Sequence, residues 1–253
     1  MYRPRVIPVL LLHQGGLFKT KLFDNPVYIG DPMNAVKIFN DVKADELIFL
    51  DINATPLGKE PDFEIIQKIS DESGMPFSFG GGLNTLEKIQ NAFEAGAEKV
   101  VLNTICYKNP QLITEAAQIF GSQAIVASVD VKKVENQYVC FSEGGKKQEE
   151  IELLEYLVDL QNAGAGEIML NSIDRDGMRN GYDIELYEKC ANHLSIPLIA
   201  CGGADDEEDF RKVVIEGKAS AAAAGSAFVF IGKNNAVLIS YPDPAELLEI
   251  FED

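Results

Sequence analysis

The feature that most constrains this chain is an alternation of short apolar runs with helix-period segments, continued almost unbroken from end to end. Strands are predicted at Val6–Leu12, Glu46–Asp51, Pro76–Gly80, Lys99–Asn103, Ala124–Asp130, Glu167–Asn171, Pro197–Cys201 and Ala221–Gly225. Helical patterns lie between them near Pro32–Asp41, Phe63–Ser73, Leu86–Ala95, Pro110–Phe120, Glu150–Ala163, Ile184–His193 and Glu207–Glu216, and a last one follows Pro244. Runs this apolar are typical of strands buried on both faces of a parallel sheet. Eight such units in about 250 residues predict a (β/α)8 TIM barrel spanning 1–253 as one domain. An open doubly wound sheet would rarely need eight. Pro32, Pro110 and Pro244 read as first-turn prolines, and Gly96 and Gly166 as helix C-caps.

A repeat strengthens the barrel reading. Gly81-Gly82 recurs as Gly202-Gly203 at an offset of 121 residues, and Asn103-Thr104 as Gly225-Ser226 at 122. The chain therefore reads as two half-barrels, about 1–122 and 123–253. Two segments depart from the pattern. His13–Gly30 reads as a long irregular loop, and Val131–Lys147 as a small β-ribbon.

Charge narrows the partners. Forty acidic and 22 basic residues give a formal net charge of −18. Nucleic acid and anionic membranes would be repelled, so a phosphorylated ligand needs local dipoles or a few placed cations. Four scattered cysteines without a paired motif, two histidines, no signal-like start and no apolar stretch of membrane-spanning length point to a reduced cytoplasmic protein with no metal site and no cofactor.

Polar residues collect where strands end, the side on which barrels place their chemistry. Asn171, Asp176 and Gly177 crowd the loop after the sixth strand, although a plain Asp/Asn/Gly turn would look similar. Gly80-Gly81-Gly82, with Asn103 and Thr104 nearby, can bring backbone N–H groups to a phosphate. Gly203, Gly225 and Ser226 repeat the kit, so a ligand with a phosphate at each end is expected. Asp51, Asp130 and Asp176 gather at the mouth. Asp130 closes the apolar run Ile125–Val129, which makes it the best candidate for a general acid or base. Its repeat partner is Leu11, which cannot move a proton. Lys19, ending His13-Gln-Gly-Gly-Leu-Phe-Lys19, reads either as a lid cation or as a solvated lysine on a mobile loop. At the strand beginnings, Arg5, Glu46, Lys99 and Glu167 read as an ion-pair ring closing the floor, structural by position.

Taken together, Arg5–Pro8, Ala44–Ile52, Gly80–Gly82, Gly96–Val100, Phe120–Val126, Asp174–Gly177, Gly181–Asp183 and Gly202–Ala204 resemble the cyclase subunit of imidazole glycerol phosphate synthase, over essentially the whole chain. The resemblance implies a barrel of two half-barrels that docks on a glutaminase and conducts ammonia to the mouth. There the family's cyclase/lyase of histidine biosynthesis closes a bis-phosphorylated aminoribulosyl intermediate. It implies one phosphate on Gly82, Asn103 and Thr104, and the other on Asp176, Gly177, Gly203, Gly225 and Ser226. The floor ring becomes the ammonia gate, and Glu98 an acid facing the glutaminase. The family pattern has a catalytic aspartate where Leu11 stands, and hydroxyl residues where Asn171 and Cys201 stand. An intact gate with a halved catalytic pair is similar to second-copy relatives associated with a glutaminase and a sugar amidotransferase that modifies nucleotide sugars for surface polysaccharides.

Overall fold

A computed structural model describes residues 3–232 and 236–252. Met1 and Tyr2, on which the reading of the chain's start partly rests, lie outside the described residues. Eight strands, β1 (Arg5–His13), β2 (Leu47–Asp51), β3 (Phe77–Gly80), β4 (Lys99–Leu102), β5 (Ile125–Val134), β6 (Glu167–Ser172), β7 (Leu198–Cys201) and β8 (Ala221–Ala224), each pair in parallel with two neighbours. The β8–β1 and β5–β6 pairings complete the ring. The fold is a (β/α)8 barrel.

Alternation along each strand creates two apolar cores. Ile7 and Val9 point inward with Ile48, Val101, Val126, Met169 and Ile199, while Leu11 and Leu50 cap this inner cluster near the mouth. Val6, Leu10 and Leu12 point outward into the larger core beneath the helices. That double burial explains why the strands read as continuous apolar runs. β8 is four alanines, poor strand formers by propensity. Its place is set by packing: Ala221 and Ala223 face the inner core, Ala222 and Ala224 the outer.

The ring of helices comprises α1 (Pro32–Asp41), α2 (Phe63–Glu72), α3 (Leu86–Glu94), α4 (Gln111–Phe120), α5 (Leu153–Ala163), α6 (Ile184–Ala191), α7 (Glu207–Ile215) and α8 (Pro244–Phe251). Most begin with a side-chain cap: Asp31, Asp62, Thr85, Asp183, Asp206 and Asp243 each accept a backbone N–H of the first turn. Such caps are worth about 1 kcal/mol each.

Three local expectations are corrected. The left-handed cap after α5 is Gly164 (φ 111°), not Gly166. Gly166 instead lies so close to the Ser122 backbone that a side chain would collide. Pro110 stands just before α4, as its N-cap, and not in its first turn. The segment after β1 is a hairpin, Gly16–Lys21 against Asp24–Gly30, laid antiparallel on the end of β1. Leu17 is fully buried and Phe18 packs edge-on to His13 and Tyr28, so it is no irregular loop. The segment after β5 is a ribbon as expected, Gln137–Ser142 pairing with the extended strand.

Candidate active site

A cavity of about 410 Å³ opens at the carboxyl ends of the strands, within the range of small-molecule sites. Leu11, Lys19, Asp51, Gly82, Asn103, Thr104, Asp130, Asn171, Asp176, Gly177, Gly203, Gly225 and Ser226 all line it.

Asp130 projects inward from β5, in register with Asn171 of β6, and is only 8% exposed. The Asn103 amide donates to its Oδ2 at 3.1 Å and to the Ser128 carbonyl at 3.0 Å. Burial lifts its pKa to about 7, the negative Asp176 adds to the rise, and the Asn103 bond opposes it. A carboxyl poised there can both take and give a proton near neutrality. Across the mouth, Leu11 lies in register with Leu50 and offers only an apolar surface.

Asp176 holds the hairpin over the mouth. Its Oδ2 accepts from the Thr20 hydroxyl at 2.9 Å and the Phe23 N–H at 3.3 Å, and its carbonyl accepts from the Leu22 N–H at 3.0 Å. Burial raises its pKa despite the opposing pull of Thr20, Phe23 and Lys19. Gly177 (φ 67°) lets the loop after β6 reach the Thr20 carbonyl. Lys19 is 5% exposed, so the reading of a solvated, mobile lysine is overturned. Its Nζ donates to the Val9 carbonyl, in space left free by Gly225. Burial lowers its pKa to about 8, against the attraction of Asp176.

Other expected groups are already occupied. Asp51 Oδ1 accepts from the Asn53 and Ala54 N–H groups, capping its own turn. The Gly82 N–H donates to the Thr55 hydroxyl at 3.3 Å. The Thr104 hydroxyl donates to Asn103 Oδ1 and accepts from the Glu143 N–H. Asn171 Oδ1, buried beside Gly202, has no hydrogen-bond partner among the described residues. Burial pushes the Cys201 thiol well up, so it stays neutral.

At the opposite end, Arg5 reaches Glu46 at 2.5 Å and Glu167 at 2.8 Å, while Lys99 lies 3.2 Å from both carboxylates. Each cation therefore bridges both anions. Ser78, fully buried on β3, donates to Glu46 Oε1 at 3.0 Å. Burial works against the Arg5 charge, but Glu167 and Glu46 outweigh it and push its pKa up. Glu98, exposed beside the ring, faces solvent at this end.

The sequence profile of the family described as histidine biosynthesis protein matches residues 5–235. The chain belongs to this family. Among its relatives are two that carry provisional names. The imidazole glycerol phosphate synthase subunit hisF3 of Vibrio vulnificus is 45% identical over 100% of this chain and 98% of its own length. The corresponding hisF2 of Pseudomonas aeruginosa is 47% identical over 98% and 99%. The imidazole glycerol phosphate synthase subunit HisF of Bacteroides thetaiotaomicron is 40% identical over 91% and 92%.

In this member of the HisF family, the barrel brings all the expected mouth residues to one cavity and all four floor charges to one ring. Sequence reasoning missed the supports. Ser78 braces the ring from two residues before Gly80, a polar residue at an inward position that alternation alone could have flagged. Thr20 and Phe23 anchor Asp176, a pairing with no local signal. Lys59, Lys88, Lys108 and Lys146 also line the cavity, Lys88 in the first turn of α3 and Lys108 at the end of the short helix Thr104–Lys108.

Proposed function

We propose that the chain is the ammonia-receiving, synthase-type subunit of a glutamine amidotransferase system. A HisH-like glutaminase docks on the floor beside Glu98, and ammonia enters through Arg5, Glu46, Lys99 and Glu167. It crosses the barrel and leaves at a mouth that binds a phosphorylated ligand, to be used by an enzyme that amidates a nucleotide sugar. One contrast carries this reading: the floor ring is complete, while the mouth has Leu11 opposite Asp130. The interior between them, lined by Ile7, Ile48, Met169, Ala221 and Ala223, suits a neutral molecule better than an ion. In the mouth, Gly82, Asn103 and Thr104 flank one phosphate, and Asp176, Gly177, Gly203, Gly225 and Ser226 the other.

The second reading is a full cyclase/lyase of histidine biosynthesis. It draws support from Asp130 and Lys19, two buried groups with pKa values of about 7 and about 8 in one cavity. The readings separate on ammonia-dependent turnover of the aminoribulosyl bis-phosphate substrate by the unaltered chain and by Leu11→Asp. One acid/base group is worth roughly 10² to 10⁴-fold, so Leu11→Asp should be at least about 10²-fold faster. Equal, brisk rates for both would make the chain a cyclase and sink the conduit.

A further inference from the structure

We infer that the end of the mouth cavity framed by Gly82 and Thr104 takes a diphosphate-bearing ligand, its outer phosphate seated between Lys59 and Lys146. This rests on the reading that the mouth binds a phosphorylated molecule, and it specifies the group at one end.

The two ends of the cavity are charged very differently. Around Gly177, Gly203 and Gly225 the one lysine lining the wall among the described residues is Lys19, already buried against the Val9 carbonyl. Around Gly82 and Thr104 stand Lys59, Lys88, Lys108 and Lys146, in a chain whose net charge is −18. Two of these lysines are committed. Lys88 pairs with Glu60 at 3.0 Å and donates to Asn84, and Lys108 pairs with Glu143 at 2.8 Å. Lys59 and Lys146 have no side-chain partner among the described residues, so two positive charges are left uncompensated at the rim.

These two lysines flank the same opening. The Lys59 carbonyl lies about one van der Waals contact from Gly82, where a Cβ would meet it at 3.2 Å. On the other side, the Glu143 N–H bonds to the Thr104 hydroxyl at 3.1 Å, and the Lys146 N–H closes the same ribbon turn on the Ser142 carbonyl at 3.1 Å. The inner donors at this end are shared with the protein: the Asn103 amide with Asp130 and Ser128, the Thr104 hydroxyl with Asn103, the Gly82 N–H with Thr55. Hydrogen bonds that must be shared give an anion little net attraction, whereas free ammonium groups give it charge. A ligand reaching in toward Asp130 passes the lysines and then the glycine turn. A single phosphate fills one of these stations; a diphosphate fills both.

Calorimetric titration of the full chain with inorganic pyrophosphate and with orthophosphate tests this, beside a Lys59→Ala/Lys146→Ala variant. Both lysines are exposed, so the variant keeps its fold. Pyrophosphate should bind at least about tenfold tighter than orthophosphate, two exposed ion pairs each contributing a few-fold. In the variant that preference should shrink to less than about threefold. Orthophosphate binding as tightly as pyrophosphate overturns the diphosphate assignment and leaves the phosphate-binding mouth standing. A preference that survives in the variant overturns the lysine seat. Binding of neither anion overturns both this inference and the phosphorylated-ligand reading beneath it.

Discussion

At the floor of the barrel each charge of the ring touches two of opposite sign, whereas at the mouth the buried charges rest on neutral dipoles. Arg5 and Lys99 each bridge Glu46 and Glu167. Asp130 leans on the Asn103 amide, Asp176 on a hydroxyl and a backbone N–H, and Lys19 on a carbonyl. Dipoles compensate a buried charge less than a counter-ion does, so burial dominates and the mouth's pKa values move toward neutrality. The difference separates two uses of charge in one barrel. Paired charges make a self-compensated floor. Poorly compensated ones hold protons that are easily exchanged.

The most damaging way to break the comparison is to remove one ring cation. Lys99→Met leaves Glu46 and Glu167, with side chains 4% and 12% exposed, facing each other with only Arg5 between them. Breaking a buried pair in this way costs about 3–5 kcal/mol, which urea denaturation would register directly. A loss below about 1 kcal/mol would mean the ring is solvated and no different in kind from a surface pair.

The reverse sign is expected at the mouth. The Asp130 pKa is raised to about 7 in the folded chain, so the fold holds its proton more tightly than the unfolded chain does. Its cost to stability is absent below the unfolded value near 4, grows as pH rises, and is complete above about 7. Asp130→Asn should therefore stabilise the protein at about pH 8, by on the order of 2–4 kcal/mol, and leave it unchanged at about pH 4. Thermal melts across that range check the sign. Destabilisation at about pH 8 would show that the carboxylate is compensated after all.

The sequence made some of this contrast legible and hid the rest for physical reasons. The barrel was readable because strands buried on both faces carry continuous apolar runs, and even the alanines of β8 obey that rule. Asp130 was readable because an acid closing an apolar strand has no packing explanation. The ring's members were visible at strand starts, but not its connectivity, which joins residues 41 to 162 positions apart. The burial of Lys19 was hidden because a glycine-bearing segment looks mobile until Asp176, 156 residues on from Thr20, fastens it. Propensity pointed to Gly166 as the cap after α5 where Gly164 holds that place, since only the backbone path decides which glycine turns left-handed. The rim lysines carry no local signal that would single them out. What gathers them is the closure of the barrel, which no local pattern records.

The finest test of the contrast lies at Gly225. Its backbone has φ −106° and ψ −65°, so alanine meets no backbone penalty there. The added Cβ would instead run into the Lys19 amine. That amine is the far end of a flexible side chain, so it can swing from the Val9 carbonyl into the cavity. Gly225→Ala should cost under about 1 kcal/mol, less than the 1–3 kcal/mol typical of an overpacked core. Its signature should be electrostatic: released from the desolvated niche that lowers its pKa to about 8, Lys19 should titrate closer to the ordinary lysine value of about 10.4. Nuclear magnetic resonance titration of isotope-labelled lysine follows this shift in the folded protein. An unmoved titration together with a large loss of stability would mean that Lys19 is wedged in place. The mouth would then be as rigid as the floor, and the difference between the two ends would lie in charge compensation alone.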